Sequence, residues 1–240
     1  MEIKVNALVI KAIDYKDNDR VLTLYSLEKG KITAGIKGIK KAGAKLKFAS
    51  EPFCFAEYIL AEKGGRYTVT SASYIDCFYD LRLNLEKYYY SAVVSDFLNV
   101  HTESELADPF LFDLAINTIK DICYQENEKM SLVNFLLKAI ESLGYGITNL
   151  LCEACQEEIH GRVFFRCRDA SFRCLSCKEE SYNEIKKETF IALNLLKDEI
   201  FELLKDFKDG IDKLFNFLIY YFNNKTEVSL KSVEAINNLE

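Results

Sequence analysis

Hydrophobic and polar positions follow one period in the first third of this chain and another in the remainder. Residues 1–75 read as short strands. VNALVIKAI, RVLTLYSL, KITAGIKGI, FCFAEYILAE and RYTVTSAS are each rich in β-branched or aromatic residues, which suit a pleated, half-buried surface. The breaks carry turn chemistry in DYKDND, EKG and EKGG. SLEKGKIT predicts a hairpin through Lys29-Gly30, and LAEKGGRYTV predicts another through Gly64-Gly65. No helix-length stripe interrupts these five segments.

From about residue 80 the period becomes helical. Leu132, Phe135, Leu136, Ala139, Ile140 and Leu143 fall at the spacing of one helix face, and Ile211, Leu214, Phe215, Leu218, Ile219 and Phe222 repeat it. Leu193, Leu196, Ile200, Leu203, Leu204 and Phe207 predict a third helix. Asp108-Pro109 predicts an N-cap followed by proline at the first helical position. The stripes are read as bundle core. The fold class expected is α+β and multidomain. A five-stranded OB-type β-barrel over residues 1–78 precedes an α-helical bundle domain over 79–240, packed against it. A zinc-ribbon-like insert at about 150–181 interrupts the helices.

Composition supports a folded chain. With 240 residues and 49% hydrophobic content it can bury a real core. The N-terminal apolar run is broken by charges, unlike a signal peptide, and no segment approaches about 18 uninterrupted apolar residues. A cytoplasmic protein without membrane contact is expected. Net charge is −6, which argues against a protein that coats nucleic acid over its whole surface. The charge is uneven, however. Residues 1–80 hold 13 basic and 10 acidic residues, against 18 and 27 in the rest.

Eight cysteines in a reducing compartment point to metal or plain burial. Cys152–Cys155 and Cys174–Cys177 are two C-x-x-C pairs with 18 residues between them. Each pair is a tight turn that aims two thiolates at one point. A hairpin through RVFFRCRDASFR folds one pair over the other, so that four sulfurs surround one structural Zn²⁺ per chain. Cys167 is read as a surplus thiol and His160 as an exposed loop residue. Cys54, Cys77 and Cys123 are read as isolated core residues. His101-Thr102-Glu103 with Cys152–Cys155 shares two elements with zinc deaminases, but the spacing is wrong and the second pair would have no purpose. Phosphate-loop, nucleophile-elbow and dinucleotide fingerprints are absent. A binding protein is expected rather than an enzyme.

The segment KGIKKAGAKLK at 37–47 has five lysines, two glycines and no acidic residue. Seven lysines lie between Glu28 and Glu51 without one carboxylate. Such a run is commonly a solvated face. On the connection between the third and fourth strands of an OB barrel it is also where a single strand of nucleic acid would find its phosphates neutralised. The glycines are expected to let the loop adapt to a flexible backbone. Tyr25, Phe48, Phe53 and Tyr67 are stacking candidates or barrel core.

Residues 7–73 resemble the N-terminal domain of the bacterial recombination mediator family RecO. The likeness is carried by D-R-V-x-T-L around Arg20, G-K-I at 30–32, K-G-x-K-K at 37–41 and P-F at 52–53. LVNFLLKAIESLGYGITNLLCEAC resembles the family's helix ending in Leu143-Gly144-Tyr145 that leads into a zinc module. SLKSVEAINNL at 229–239 resembles its terminal L-K-S helix. The resemblance implies an OB domain, a helical domain and a zinc-ribbon-like insert. It implies binding of single- and double-stranded DNA, annealing of complementary strands and help in loading RecA. The implied partners are RecR and the C-terminal tail of the single-strand binding protein SSB. It implies DNA contacts at Arg20, Lys31, Lys37, Lys40, Lys41, Lys45 and Lys47. The family's mostly arginine loop is all lysine here, so the bidentate fork is missing while the charge is kept. The rival reading is a zinc-stabilised scaffold whose barrel binds proteins.

Overall fold

The computed structural model describes residues 1–237. Packing divides the described residues into two compact units, residues 1–126 with residues 230–237, and residues 127–229. The sequence places a boundary at residue 78, whereas the compact units divide between residues 126 and 127, so that residues 79–126 belong to the unit of the barrel.

In the first unit five strands, β1 (Glu2–Tyr15), β2 (Asp19–Ser26), β3 (Gly30–Ile36), β4 (Phe55–Lys63) and β5 (Arg66–Asp76), close into a barrel of order β1-β2-β3-β5-β4. β1 also pairs with β4, and β3 meets β5 in parallel at Ala34–Tyr67, which is the OB arrangement. Both predicted hairpins form. Leu22, Leu24, Ile32, Ala34, Ile36, Ala56, Tyr58 and Leu60 alternate into the interior with the strand period of two. The fully buried Tyr58 hydroxyl donates to the Ala49 carbonyl at 2.9 Å, so its polar atom is satisfied.

Gly30 begins β3 at φ 63°, where an added Cβ would lie 1.9 Å from the Leu106 carbonyl oxygen. Helices α1 (Leu85–His101) and α2 (Pro109–Tyr124) and a C-terminal helix (Lys231–Asn237) complete this unit. Asp108 caps α2 by accepting from Leu111 N at 3.0 Å, with Pro109 at the first position, as the sequence predicts. The C-terminal helix packs on α1, and Ser232 N donates to Asp96 at 2.8 Å. Residues 238 and 239 of the quoted L-K-S stretch lie outside the described residues.

Cys54 and Cys77 correct the sequence reading. Both are buried, but they form a disulfide rather than standing as isolated core residues. Their separation of 23 residues hides the pairing. Phe55 and Asp76 are register partners in the β4–β5 ladder, so the residues just outside them meet.

The second unit contains α3 (Glu128–Ile140), α4 (Lys187–Lys197), α5 (Phe201–Lys205) and α6 (Lys208–Thr226). A three-stranded sheet lies between α3 and α4 in sequence: β6 (Val163–Arg166), β7 (Ser171–Cys174) and β8 (Asn183–Ile185), in the order β7-β6-β8. The α3 stripe is buried up to Ile140, and the α6 stripe is buried throughout. The predicted third helix is not continuous. It breaks at Asp198–Ile200, leaving Ile200 and Leu203 exposed while Leu193, Leu196 and Leu204 are buried. Ile200 N donates to Leu195 O and Glu199 N to Leu196 O, the double closure of a helix end. The left-handed position is filled by Glu199 at φ 55° instead of glycine, so the usual sequence signal is missing. Among the described residues no helix is long and apolar enough to cross a membrane.

Candidate metal centre and nucleic-acid interface

The two C-x-x-C turns are placed by the β6–β7 hairpin predicted between them. At the first, Gln156 N donates to the Cys152 carbonyl at 2.8 Å. The second leaves β7 at Cys174 and turns through Leu175–Cys177. Cys152 bridges Phe172, and Glu153 N donates to Phe172 O at 2.8 Å, which lays the first turn against the second. The sulfurs of Cys152, Cys155, Cys174 and Cys177 all lie within 4.8 Å of one another. Four thiolates about 2.3 Å from a tetrahedral zinc would stand about 3.8 Å apart. The donor set therefore fits a closed four-sulfur site. Such a sphere leaves no position for a catalytic water, which argues against a deaminase.

The thiols are not equivalent. Burial opposes ionisation of Cys152, but hydrogen bonds from the Cys155, Cys174 and Ala154 amides outweigh it and bring the thiol down to about 6. Hydrogen bonding with Cys174, together with burial, pushes Cys177 up to about 12. A metal entering the site must displace protons, so its affinity depends on pH.

A polar clamp that sequence reasoning missed holds the turns together. The guanidinium groups of Arg166 and Arg173 both lie over the Tyr182 ring, 4.4 and 4.7 Å from its centroid. Its hydroxyl donates to Glu153 beside Cys152 and lies 2.9 Å from Ser171 Oγ. Arg173 bonds Glu153 at 3.2 Å, Glu179, and the Cys177 carbonyl at 3.3 Å, so one side chain reaches both turns. The arginines stand on neighbouring antiparallel strands, a relation visible only once the hairpin register is known. Cys167 is outside the cluster and half-buried, and His160 is exposed, as expected.

The lysine segment spans from β3 to β4 across one end of the barrel. Ile39 is buried in the barrel core, and Ala44, Leu46 and Phe48 pack partly against it. The backbone is a series of turns. Lys41 N donates to Gly38 O, Ala44 N to Lys41 O, Lys47 N to Ala44 O and Ser50 N to Lys47 O. The glycines therefore do not loosen the loop. Gly38 at φ 65° and Gly43 at φ 80° supply the left-handed backbone these turns require. The loop is also pinned to the β1–β2 turn, with Gly38 N donating to Asp19 at 2.8 Å and Lys40 N to Asn18 O at 3.2 Å.

Lys37, Lys40, Lys41, Lys45 and Lys47 are all exposed. One of them has the counter-charge the local sequence lacks: Lys40 Nζ lies 2.9 Å from Asp14 of β1. Arg20 shares Asp14 at 2.9 Å and bonds Glu51 and the Ser50 carbonyl at 3.0 Å. Hydrogen bonds from Lys40 and then Arg20 hold the Asp14 carboxyl below its ordinary range. Lys37, Lys41, Lys45 and Lys47 make no ion pair among the described residues. An open groove of about 490 Å³ has Lys16, Asn18, Asp19, Lys37 and Lys41 in its lining.

The family model described as recombination protein O N terminal matches residues 1–78, and that described as recombination protein O C terminal matches residues 82–234. The chain belongs to the recombination protein O family. Among its relatives, the DNA repair protein RecO of Acetivibrio thermocellus is 26% identical over 245 residues, covering 99% of this chain and 97% of its own. That of Clostridium perfringens is 26% identical over 245 residues, with 98% of each chain covered. That of Bacillus pumilus is 24% identical over 247 residues, covering 100% of this chain and 95% of its own.

The one remaining position singled out from the RecO likeness, Lys31, is placed differently. Lys31 stands at the opposite end of β3 from Lys37, six residues or about 20 Å along the strand. Its ammonium donates to the Asn99 carbonyl near the C-terminus of α1 at 2.7 Å, where the helix dipole favours a cation. Burial lowers its pKa. Tyr25, Phe53 and Tyr67 are buried, so of the four aromatic candidates only Phe48 is partly exposed. His101 is half-buried against Phe97 at the end of α1, and burial followed by the Lys31 charge lowers its pKa.

Proposed function

We propose that this RecO-family chain is a DNA-binding recombination mediator in recombinational DNA repair. It binds single- and double-stranded DNA, anneals complementary strands and, with RecR, helps load RecA on DNA coated by SSB, whose C-terminal tail it contacts. The observation that carries the reading is the set of four exposed lysines without ion pairs among the described residues, on a hydrogen-bonded loop across the barrel, in a chain whose net charge is −6. Phosphates are bound by Lys37, Lys41, Lys45 and Lys47. Lys40 and Arg20 divide their charge with Asp14 and frame the site. Lys31 is held by α1 and contributes at most long-range potential. Lysines neutralise phosphates without reading bases, so binding is nearly independent of sequence. Neutralised backbones then approach a complementary strand with less repulsion.

The four cysteines hold one structural zinc per chain, which fixes the β6–β8 sheet. The barrel at 1–78 is the DNA module and the helical part at 79–240 the partner module. The protein works in the cytoplasm at the nucleoid, as a binder rather than a bond-breaking enzyme. The test is binding of labelled single-stranded DNA at low salt, followed by an annealing assay with complementary strands. A protein-binding scaffold predicts no shift at low salt, and that result would remove the DNA reading.

A further inference from the structure

Three aromatic side chains flank the lysine loop, and two of them, Tyr74 and Tyr15, are not among the stacking candidates read from the sequence. Phe48 directly follows Lys47 and is only partly buried. Its ring meets that of Tyr74, near the end of β5, edge-on at 6.1 Å between centroids. Tyr74 is 64% exposed, although it pairs in register with the buried Ala56. The β4–β5 ladder shifts register between Phe55 and Ala56, and the irregularity lies where Tyr74 emerges at the barrel end that the loop covers. On the loop's other flank Tyr15, 53% exposed, ends β1 one residue from Asp14, the shared partner of Lys40 and Arg20. The Lys16 ammonium lies 5.3 Å from the Tyr15 ring centroid, and Lys16 lines the groove with Lys37 and Lys41.

The loop thus has an exposed aromatic on either flank, and its Lys37, Lys41, Lys45 and Lys47 make no ion pair among the described residues. Unpaired nucleobases have two apolar faces and stack on such rings, whereas bases inside a duplex are already stacked and cannot reach them. We infer that Tyr74 with Phe48, and Tyr15, are base-stacking positions for an unpaired strand whose phosphates lie on Lys37, Lys41, Lys45 and Lys47. This inference rests on the proposed DNA-binding reading. It adds what lysines alone cannot supply, namely a means of preferring a single strand over a duplex.

The experiment compares three fluorescent probes by anisotropy at fixed low salt: a single-stranded oligodeoxynucleotide, a duplex, and an abasic deoxyribose-phosphate strand of the same length. The protein is the full zinc-loaded chain. Stacking contributes about 1–3 kcal/mol per base, so Tyr74→Ala should weaken single-strand binding about 5- to 150-fold. Duplex and abasic binding should stay within about twofold. Tyr74→Phe should restore single-strand binding, since the ring and not the hydroxyl is required. Tyr15→Ala should behave like Tyr74→Ala. Lys41→Ala/Lys45→Ala should weaken all three probes together, and circular dichroism should show every variant folded. Equal binding of the base-bearing and abasic strands by wild type would overturn the stacking inference and leave the lysine reading standing. Failure of wild type to bind any of the probes would overturn both.

Discussion

Replacing Lys37, Lys41 and Lys45 together by alanine should change the salt dependence of DNA binding more than any other property of the protein. These lysines and Lys47 are exposed and free of ion pairs among the described residues, so each can release a condensed counterion when it meets a phosphate. Four such contacts on a single strand give a slope of about −2.8 in log K against log salt, at about 0.7 per contact. Between 50 and 200 mM salt that slope corresponds to about a fiftyfold loss of affinity. With only Lys47 left, the slope falls to about −0.7 and the loss over the same interval to about threefold. Lys40→Ala is the internal control. Its charge is already shared with Asp14 at 2.9 Å, so it should change the slope by less than any of the other four. Fluorescence anisotropy with a labelled oligonucleotide across a potassium chloride series reads both numbers. Thermal melting should be nearly unchanged, since exposed charges away from pairs contribute little to stability. An unaltered slope in the triple variant, with wild-type binding intact, would refute the assignment of phosphate contacts to this loop.

Elemental analysis should find one zinc per chain, and Cys174→Ser should lose it and lower the thermal stability of residues 127–229, because site formation is coupled to folding. Hydrogen bonding from Arg166 outweighs burial and, with help from Ser171, holds Asp169 at about 2 rather than 3.8. A carboxyl lowered in the folded state contributes stability above its unfolded pKa and loses it as pH falls through the folded value. The gap in melting temperature between wild type and Asp169→Asn should therefore narrow from pH 5 to pH 2, followed by circular dichroism; a constant gap would contradict the ion pair. Gly30→Ala should destabilise the barrel by more than about 2 kcal/mol in urea denaturation, because it forces a side chain into a left-handed backbone. Its Cβ would also meet a carbonyl oxygen at 1.9 Å.

Much of this molecule is written locally. Strand alternation, the turns at Lys29-Gly30 and Gly64-Gly65, the Asp108-Pro109 cap and the α3 and α6 stripes depend on neighbours a few residues away, and they formed where the pattern put them. The paired C-x-x-C turns were legible for the same reason, since each places two sulfurs by its own backbone and needs only a hairpin to meet the other. The break between α4 and α5 escaped notice because Glu199 occupies a position where glycine is the usual signal.

What sequence could not decide is which side chains meet across strands. The charge of Lys40 is answered by Asp14, 26 residues earlier, because the loop folds back on the β1–β2 hairpin. Arg20 is drawn into the same network. Lys31, chemically identical to its neighbours in the sequence, is removed to the far end of β3 and held by a helix carbonyl. Cys54 and Cys77 are joined by strand register, and Tyr25, Phe53 and Tyr67 are claimed by the core while Tyr74 is left in solvent. The amino-acid sequence determined which segments are strands, helices and metal-binding turns, since those are short-range choices of backbone conformation. Only the closed barrel decided which lysines keep their charge for a ligand, because pairing and burial are set by residues distant in sequence that come together when the chain folds.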